Sequence, residues 1–206
     1  NTTTFAVANG FLFEPFPYKD QDRLVLISEI HAKSTDDEWS SPGNFLDYKR
    51  RSTAFVSLIG YNIVPANLTG GDQPERVRLV KMSPETFAVL GQSPSLGRDF
   101  EEREGVAGAG NVLILTHSFW QRYFAGDRSV LGKTVLLDGK SFDIVGVMSE
   151  HFDFLPADVD LFTPTNWEDR SSDRERGLLV MGRLKDGRTP EEAEAEIASI
   201  ADQLAS

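Results

Sequence analysis

Cysteine is absent from the 206-residue chain. Its absence excludes disulfides, thiolate nucleophiles and zinc sites with cysteine ligands. It does not locate the protein, because a chain without thiols suits both a reducing cytosol and an oxidising periplasm. Histidine is also scarce: His31, His117 and His151 lie far apart, and none has a second metal-binding side chain at the i, i+4 spacing of a helical metal site.

Positive charge is outnumbered, with 21 Lys and Arg against 32 Asp and Glu and a net charge of -11. No basic stripe is present, so the sequence predicts no nucleic-acid partner, and charge does not favour an anionic membrane surface. No run of about 20 apolar residues exists, so no segment spans a bilayer by itself. The hydrophobic fraction of 40% and charged fraction of 26% are typical of a globular domain.

Large apolar side chains crowd the first residues of the chain. Three interpretations compete: a signal-peptide remnant, a strand of the core, or the end of a segment that begins upstream. The basic region of a signal peptide is missing, and Pro15 and Pro17 impose an extended backbone. The pattern favours the last turns of an apolar helix followed by a stiff stalk, with a helix packed on the protein's own core as the alternative.

Local signals along the rest of the chain mix strands and helices. Asp138-Gly139 between two β-rich runs predicts a type I′ hairpin. Thr189-Pro190-Glu191-Glu192 is a capping box before a helix with one apolar face, formed by Ala193, Ile197, Ile200 and Leu204. Regular βαβ alternation is missing, so the sequence predicts an α+β fold with a central module between flanking ones.

Motifs of catalysis and nucleotide binding are near misses. GDRSVLGKT has five residues between Gly126 and Gly132 where a phosphate-binding loop has four, and it follows a helix instead of a strand. The glycines of GVAGAGNVLIL precede a strand, unlike those of a dinucleotide fingerprint. Asn67-Leu68-Thr69 is a glycosylation sequon that we interpret as a turn. The sequence therefore predicts no catalytic, cofactor-binding or metal site.

Several blocks, read in order, resemble the MacB-type ABC transporter permeases. They are NTTTFAVANGFLFEPFPYKDQDRLV, SPGNFLDYKRRSTAF, NLTGGDQPERVRLVKMSPETFAVLGQSPSLGRDF, NVLILTHSFWQRYFAGDRSVLGKTVLLDGKSFDIVGVM and LKDGRTPEEAEAEIASIADQLA. The first block is similar to the junction after the first membrane helix, and the others are similar to successive parts of the periplasmic core domain. The large orphan permeases with duplicated core domains are the closest variety.

The resemblance implies a two-part α+β domain. Residues 1–18 would be the end of a membrane helix and its stalk, 19–82 with 171–206 a porter-like subdomain, and 83–170 an inserted sabre-like subdomain. The implied membrane-proximal residues are Phe5, Phe11, Leu12, Phe13, Pro15, Phe16, Pro17 and Tyr18. Glu14 and Phe16 depart from the basic and aliphatic residues usual in the family, and the family's further strand after the last helix is missing.

The resemblance also implies a function. A non-enzymatic domain on the periplasmic side of the cell inner membrane would pass motion from the membrane helices of its own permease to a periplasmic partner or substrate, in export or mechanotransmission. Its partners would be an ATPase domain or subunit, a periplasmic adaptor protein and a second copy in a dimer. The alternatives are a periplasmic solute- or peptide-binding module and, third, an enzyme.

Overall fold

The computed structural model describes residues 3–8, 18–31, 39–69, 74–106, 108–154, 158–175 and 177–205. The strands are β1 Thr3–Ala8, β2 Leu24–His31, β3 Phe55–Thr69, β4 Glu75–Met82, β5 Leu96–Gly97, β6 Val112–Leu115, β7 Thr134–Leu137, β8 Lys140–Val147, β9 Leu161–Pro164 and β10 Leu179–Leu184. The helices are α1 Pro42–Arg51, α2 Thr86–Leu90, α3 His117–Phe124 and α4 Pro190–Ala205. Among the described residues, no helix has the length and apolar character of a membrane span.

Contacts divide the chain into two compact units. The first unit comprises residues 1–61 and 167–206, and the second unit comprises residues 62–166. Strand β3 contributes residues to both. The predicted α+β class is confirmed. The boundaries differ from the expected 83 and 170, because β4 pairs with β9 and therefore lies in the second unit. No composition shift marks residue 61, since the boundary falls inside a continuous strand.

The first unit is an antiparallel sheet with two helices. Its strand order is β1, β2, β10 and the first part of β3. Helices α1 and α4 pack with the sheet in one hydrophobic core. Four of the residues that they contribute are fully buried, at 0% exposure: Phe45, Tyr48, Ala193 and Ile197. Burial of this helix face stabilises the unit, because apolar side chains leave water there.

The second unit carries its own core around a mixed sheet. Strand β4 runs parallel to β9, β9 is antiparallel to β6, and β6 is parallel to β8. Strand β7 pairs with β8 and with the end of β3. Four phenylalanines form a cluster in which the ring of Phe162 lies 5.2 Å from that of Phe87, 5.9 Å from Phe152 and 5.5 Å from Phe154.

Caps and turns follow the sequence signals closely. Asp138 and Gly139 have φ angles of 49° and 77°, as a type I′ hairpin turn requires. Ser41 Oγ accepts from the Asn44 amide at 3.1 Å and begins α1. Thr189 Oγ1 accepts from the Glu192 amide at 3.3 Å, and the Glu192 carboxylate accepts from the Thr189 amide at 3.3 Å. The predicted hairpin and capping box are confirmed.

Other expectations need correction. Phe5 lies in strand β1, opposite Glu29 of β2, and not in a helix. Leu204 is 40% exposed, so the apolar face of α4 ends at Ile200, which is 6% exposed. The sequon at Asn67 lies in β3 instead of a turn, and its side chain donates to Asp138 Oδ1 at 2.8 Å.

Glu196 of α4 holds the connection between α1 and β3. Its carboxylate accepts from Ser52 Oγ at 2.7 Å, from the amides of Thr53 at 2.7 Å and Ala54 at 2.8 Å, and from Thr53 Oγ1 at 2.8 Å. Burial alone would raise the pKa of Glu196, but these hydrogen bonds outweigh it and hold the pKa below its ordinary value. The folded state therefore favours the charged form.

We expect Glu196→Gln to lower the free energy of unfolding by about 1–3 kcal/mol at neutral pH, because several donors lose a charged acceptor. A carboxyl with a depressed folded pKa stabilises above its unfolded pKa and loses that contribution as pH falls through the folded value. The difference between the two proteins should thus shrink in acid below the ordinary glutamate range. Urea unfolding at several pH values measures it, with exposed Asp202→Asn on the same helix as control. An equal difference at every pH would contradict the assignment.

Candidate functional site

After β1, the next described stretch of the first unit begins at Tyr18, which is one of the predicted membrane-proximal residues; we call residues 18–23 the incoming segment of β2. Tyr18 is 6% exposed. Asp20 takes a left-handed conformation with φ of 46°, and its carbonyl accepts from the Arg23 amide at 3.0 Å. The resulting turn leads through a 3-10 segment, Gln21–Arg23, directly into β2. The backbone of residues 20–23 thus turns directly into β2.

Two arginines hold this incoming segment. Arg183 of β10 donates from Nη2 to the carbonyl of Lys19 at 2.6 Å and from Nη1 to the carbonyl of Asp20 at 3.1 Å. Arg23 donates from Nε and Nη2 to the carbonyl of Leu184 at 3.0 Å and 2.7 Å. We call Arg23, Arg183 and these three carbonyls the arginine clamp. Arg183 of β10 thus bonds the backbone that leads into β2, and Arg23, just before β2, bonds the backbone at the end of β10. Each segment therefore holds the other in place.

The sheet register explains why the two arginines meet. Strand β10 is antiparallel to β2, and Arg183 stands opposite Leu24, the residue after Arg23. Burial lowers the pKa of Arg183, and the nearby charge of Arg23 lowers it further. The charges of Asp20 and Asp22 act in the opposite direction on the Arg183 pKa, and Arg23 Nη1 forms an ion pair with the exposed Asp186 at 2.5 Å. Guanidinium groups suit this role because they present several donors in a rigid plane.

The arginine clamp consists of structural hydrogen bonds and has no group arranged for chemical catalysis. Its acceptors are peptide carbonyls, which do not titrate and do not act as acids, bases or nucleophiles. Within the described ranges no group of His, Asp and Glu is placed to hold a metal ion. Hydrogen bonds from a charged donor are among the stronger ones in proteins, at about 1.5–3 kcal/mol each. The clamp therefore holds residues 19–23 against the end of β10.

A buried carboxylate lies at the other end of β2. Glu29 is 2% exposed, and its Oε1 accepts from Ser40 Oγ at 2.7 Å and Tyr48 OH at 3.0 Å. Asn44 Nδ2 lies 3.4 Å from each carboxylate oxygen. Burial raises the pKa of the Tyr48 phenol, and the charge of Glu29 adds to it. These neutral donors tie α1 to β2. They also supply the hydrogen bonds that a carboxylate needs when it is buried away from water.

Sequence reasoning missed both groups. Glu29 had a local signal, because it shares a strand face with the buried Val25 and Ile27 and a carboxylate there needs partners. The arginine clamp had no local signal, because Arg183 bonds the carbonyls of two residues that lie 163 and 164 positions earlier in the sequence. Of the predicted membrane-proximal residues, Phe5 lies in β1 and Tyr18 next to the clamp. The remainder lie outside the described residues: Phe11, Leu12, Phe13, Pro15, Phe16 and Pro17.

The loop that nearly matches a phosphate-binding motif has a structural role. Asp127 caps the 3-10 turn Arg128–Val130 by accepting from the Ser129 amide at 2.8 Å. Lys133 pairs with Asp127 at 2.9 Å. The hydrogen bond from the Ser129 hydroxyl, at 2.6 Å, together with those from Lys133 and the Ser129 amide, holds the pKa of Asp127 well below its usual range. The ammonium group of Lys133, which would contact a phosphate in a phosphate-binding loop, therefore contacts Asp127 instead.

Comparison with protein families agrees with this architecture. The family model described as the MacB-like periplasmic core domain matches residues 1–200. The chain belongs to this family. A MacB-like core domain is an extracytoplasmic part of an ABC transporter permease. No curated protein matches the chain in a sequence search.

Solved structures show the same fold for this MacB-like core domain. The periplasmic region of MacB from Actinobacillus actinomycetemcomitans aligns over 99% of this chain and 84% of that chain, with 19% identity and a TM-score of 0.65. A permease-protein domain from Porphyromonas gingivalis aligns over 92% and 83%, with 16% identity and a TM-score of 0.66. The extracellular domain of the ABC-type transporter YknZ from Gram-positive bacteria aligns over 79% and 83%, with 14% identity and a TM-score of 0.57.

We expect Arg183→Gln to loosen the incoming segment of the MacB-like core domain. The variant loses two hydrogen bonds from a charged donor, which should lower local stability by about 1–3 kcal/mol. Amide hydrogen exchange at residues 18–23 should accelerate while the exchange of α1 stays constant. The control is Lys185→Gln, which removes an exposed charge nearby in sequence. Equal exchange of residues 18–23 in both variants would contradict the clamp.

Proposed function

We propose that this MacB-like core domain is a non-catalytic coupling element. It passes motion from the membrane helices of its own permease chain to a partner or substrate outside the inner membrane. The motion originates in an ATPase domain or subunit, and the receiving partner is a periplasmic adaptor protein or an exported substrate. The intact transporter works as a dimer. In this proposal, the first unit has the porter role and the second unit has the sabre role.

One observation carries the proposal: the arginine clamp fastens the segment that leads into β2, residues 19–23, to β10. A coupling element needs a rigid body joined stiffly to the part that moves. The four hydrogen bonds of the clamp connect residues 19–23 to the end of β10, and the chain continues from Arg23 directly into β2, the neighbouring strand. The carbonyl acceptors leave no titratable group in the joint, so its stiffness does not depend on pH near neutrality.

The membrane-proximal assignment of residues 5–18 is part of the same proposal. In the sequence, Phe11, Leu12, Phe13, Phe16 and the two prolines between Phe13 and Tyr18 lie between β1 and the residues that the clamp holds, and the proposal places them next to the membrane. Pro15 and Pro17 favour an extended and stiff connection. A stiff connection transmits displacement where a flexible one would absorb it.

Hydrogen exchange of the intact permease tests the proposal. The permease is reconstituted with its ATPase, and exchange is measured with and without a non-hydrolysable ATP analogue. We expect nucleotide to change the exchange of residues 18–23 and 183–186, which form or adjoin the clamp. If exchange across the whole domain were the same in both states, the domain would not move with the ATPase and the coupling role would be wrong.

A further inference from the structure

The sheet of the second unit closes on itself. Each strand is hydrogen-bonded to the next around a ring: β3 to β4, β4 to β9, β9 to β6, β6 to β8, β8 to β7, and β7 back to β3. Strand β5 pairs with β8 beyond the residues that β7 covers. A closed ring of six strands is a barrel small enough to be filled by its own side chains.

All six strands of this barrel contribute buried side chains to one core. In β3, β4 and β6 the two contributing residues are two positions apart, as one face of a strand requires. The core is therefore the inside of the barrel. Its members from the strands are Ala66, Leu68, Val77, Leu79, Leu113, Leu115, Leu137, Ile144, Val147 and Leu161.

The contact between β3 and β7, which we call the seam, is short and accessible to water. Among the described residues these strands share two pairs, Leu68 with Leu137 and Thr69 with Leu136. Four pairs join β7 to β8, β6 to β8 and β4 to β9. Strands β6 and β9 also share two pairs, but the four residues involved are 0% exposed, whereas Leu136 is 36% exposed.

Three hydrogen bonds join the β7–β8 turn to β3 beside the seam. Asp138 Oδ1 accepts from the Asn67 amide at 3.0 Å and from Asn67 Nδ2 at 2.8 Å. The Asp138 amide donates to the Asn67 carbonyl at 3.0 Å. The hydrogen bonds from Asn67 hold the pKa of Asp138 below its ordinary value, and the charge of Lys81 on β4 lowers it further. We call Asn67 and Asp138 the barrel latch.

We propose that the barrel latch keeps the barrel of the second unit closed, and that the seam is where this barrel opens. Opening separates β7 from β3 while β7 stays paired with β8, so it exposes the inner side chains of Leu68 and Leu137 to water. The sequon residue Asn67 and the Asp138-Gly139 turn thus belong to one structural device. The inference concerns contacts within residues 62–166 alone and does not rest on the proposed coupling function.

The test compares Asp138→Gly with Asp138→Asn in the full chain. Asp138 has a φ angle of 49°, and both glycine and asparagine accept this left-handed conformation in a hairpin turn. Only asparagine keeps a side-chain oxygen that can accept from Asn67.

Amide hydrogen exchange is followed at the seam and away from it. Bonded and non-bonded pairs alternate in an antiparallel ladder, so Thr69 and Leu136 are the next bonded pair after the latch. Ile144 is the reference position, because its amide donates to the Lys133 carbonyl at 2.9 Å and does not depend on β3.

We expect Asp138→Gly to accelerate exchange at Thr69 and Leu136 by about fivefold or more and to leave Ile144 unchanged, because only the seam loses hydrogen bonds. Asp138→Asn should exchange at all three positions within about twofold of the unsubstituted chain. Unchanged exchange at the seam in Asp138→Gly would overturn the inference. Equal acceleration at the seam and at Ile144 would show a general loss of stability without a latch, and would overturn it as well.

A double variant tests whether the two latch residues act together. Asn67→Ala combined with Asp138→Gly should exchange at Leu136 at the same rate as Asp138→Gly alone, because the two residues form one contact. A further acceleration as large as that of Asn67→Ala alone would show that the residues act independently and would overturn the latch.

Discussion

Ile197→Ala should lower the free energy of unfolding of the first unit by about 2–5 kcal/mol, because the truncation leaves a cavity in a closely packed core. Ile197 is 0% exposed and contacts the same core as Val25 and Phe45. Thermal and urea unfolding give the change directly. Leu204→Ala on the same helix is the control, since Leu204 is 40% exposed and surface truncations change stability by about 0.5 kcal/mol or less. Similar losses for the two variants would contradict the burial of this helix face.

Phe162→Ala should be as damaging to the second unit, with an expected loss of about 3–5 kcal/mol. Its ring is 0% exposed and lies among the rings of Phe87, Phe152 and Phe154. Removal leaves a cavity and ends edge-to-face contacts that contribute beyond burial.

Val106→Ala in the same unit serves as the control, because Val106 is 53% exposed. Urea unfolding followed by circular dichroism compares the two variants. A loss below about 1 kcal/mol for Phe162→Ala would mean that the phenylalanine cluster does not stabilise the unit.

Local chemistry made much of the fold predictable from sequence. The Asp138-Gly139 turn requires positive φ angles, which few other residue pairs accept. The capping box at Thr189 was predictable in the same way, because it satisfies backbone amides within a few residues. Signals of this kind depend only on neighbours in the chain.

Strand β1 shows where local patterns fail. A short apolar run can be read as helix or strand, and periodicity alone does not separate the two. Phe5 and Val7 are two apart, a spacing that also suits one face of a strand. The outcome depends on the edge of β2, which pairs with residues 3–8. Val7 also donates its amide to Glu194 of α4 at 3.2 Å, a contact that spans almost the whole chain.

The candidate site was unpredictable for the same reason. Arg183 and Arg23 come together through the register of β10 on β2, and neither residue belongs to a recognisable motif. The first boundary between the units falls within β3, so the sequence contains no turn or linker at that position from which it could be predicted. The resemblance to MacB-type permeases supplied the family, which the match over residues 1–200 confirms, but it did not identify the residues of the arginine clamp.

The arginine clamp in the intact permease is the most direct test of the coupling role. Arg183→Gln and the control Lys185→Gln are reconstituted with the ATPase, and ATP hydrolysis is measured beside nucleotide-dependent hydrogen exchange in the second unit. The account predicts that Arg183→Gln retains ATP hydrolysis and loses the nucleotide-dependent exchange difference in residues 108–154, while Lys185→Gln retains both. An exchange difference of full size in Arg183→Gln would contradict it.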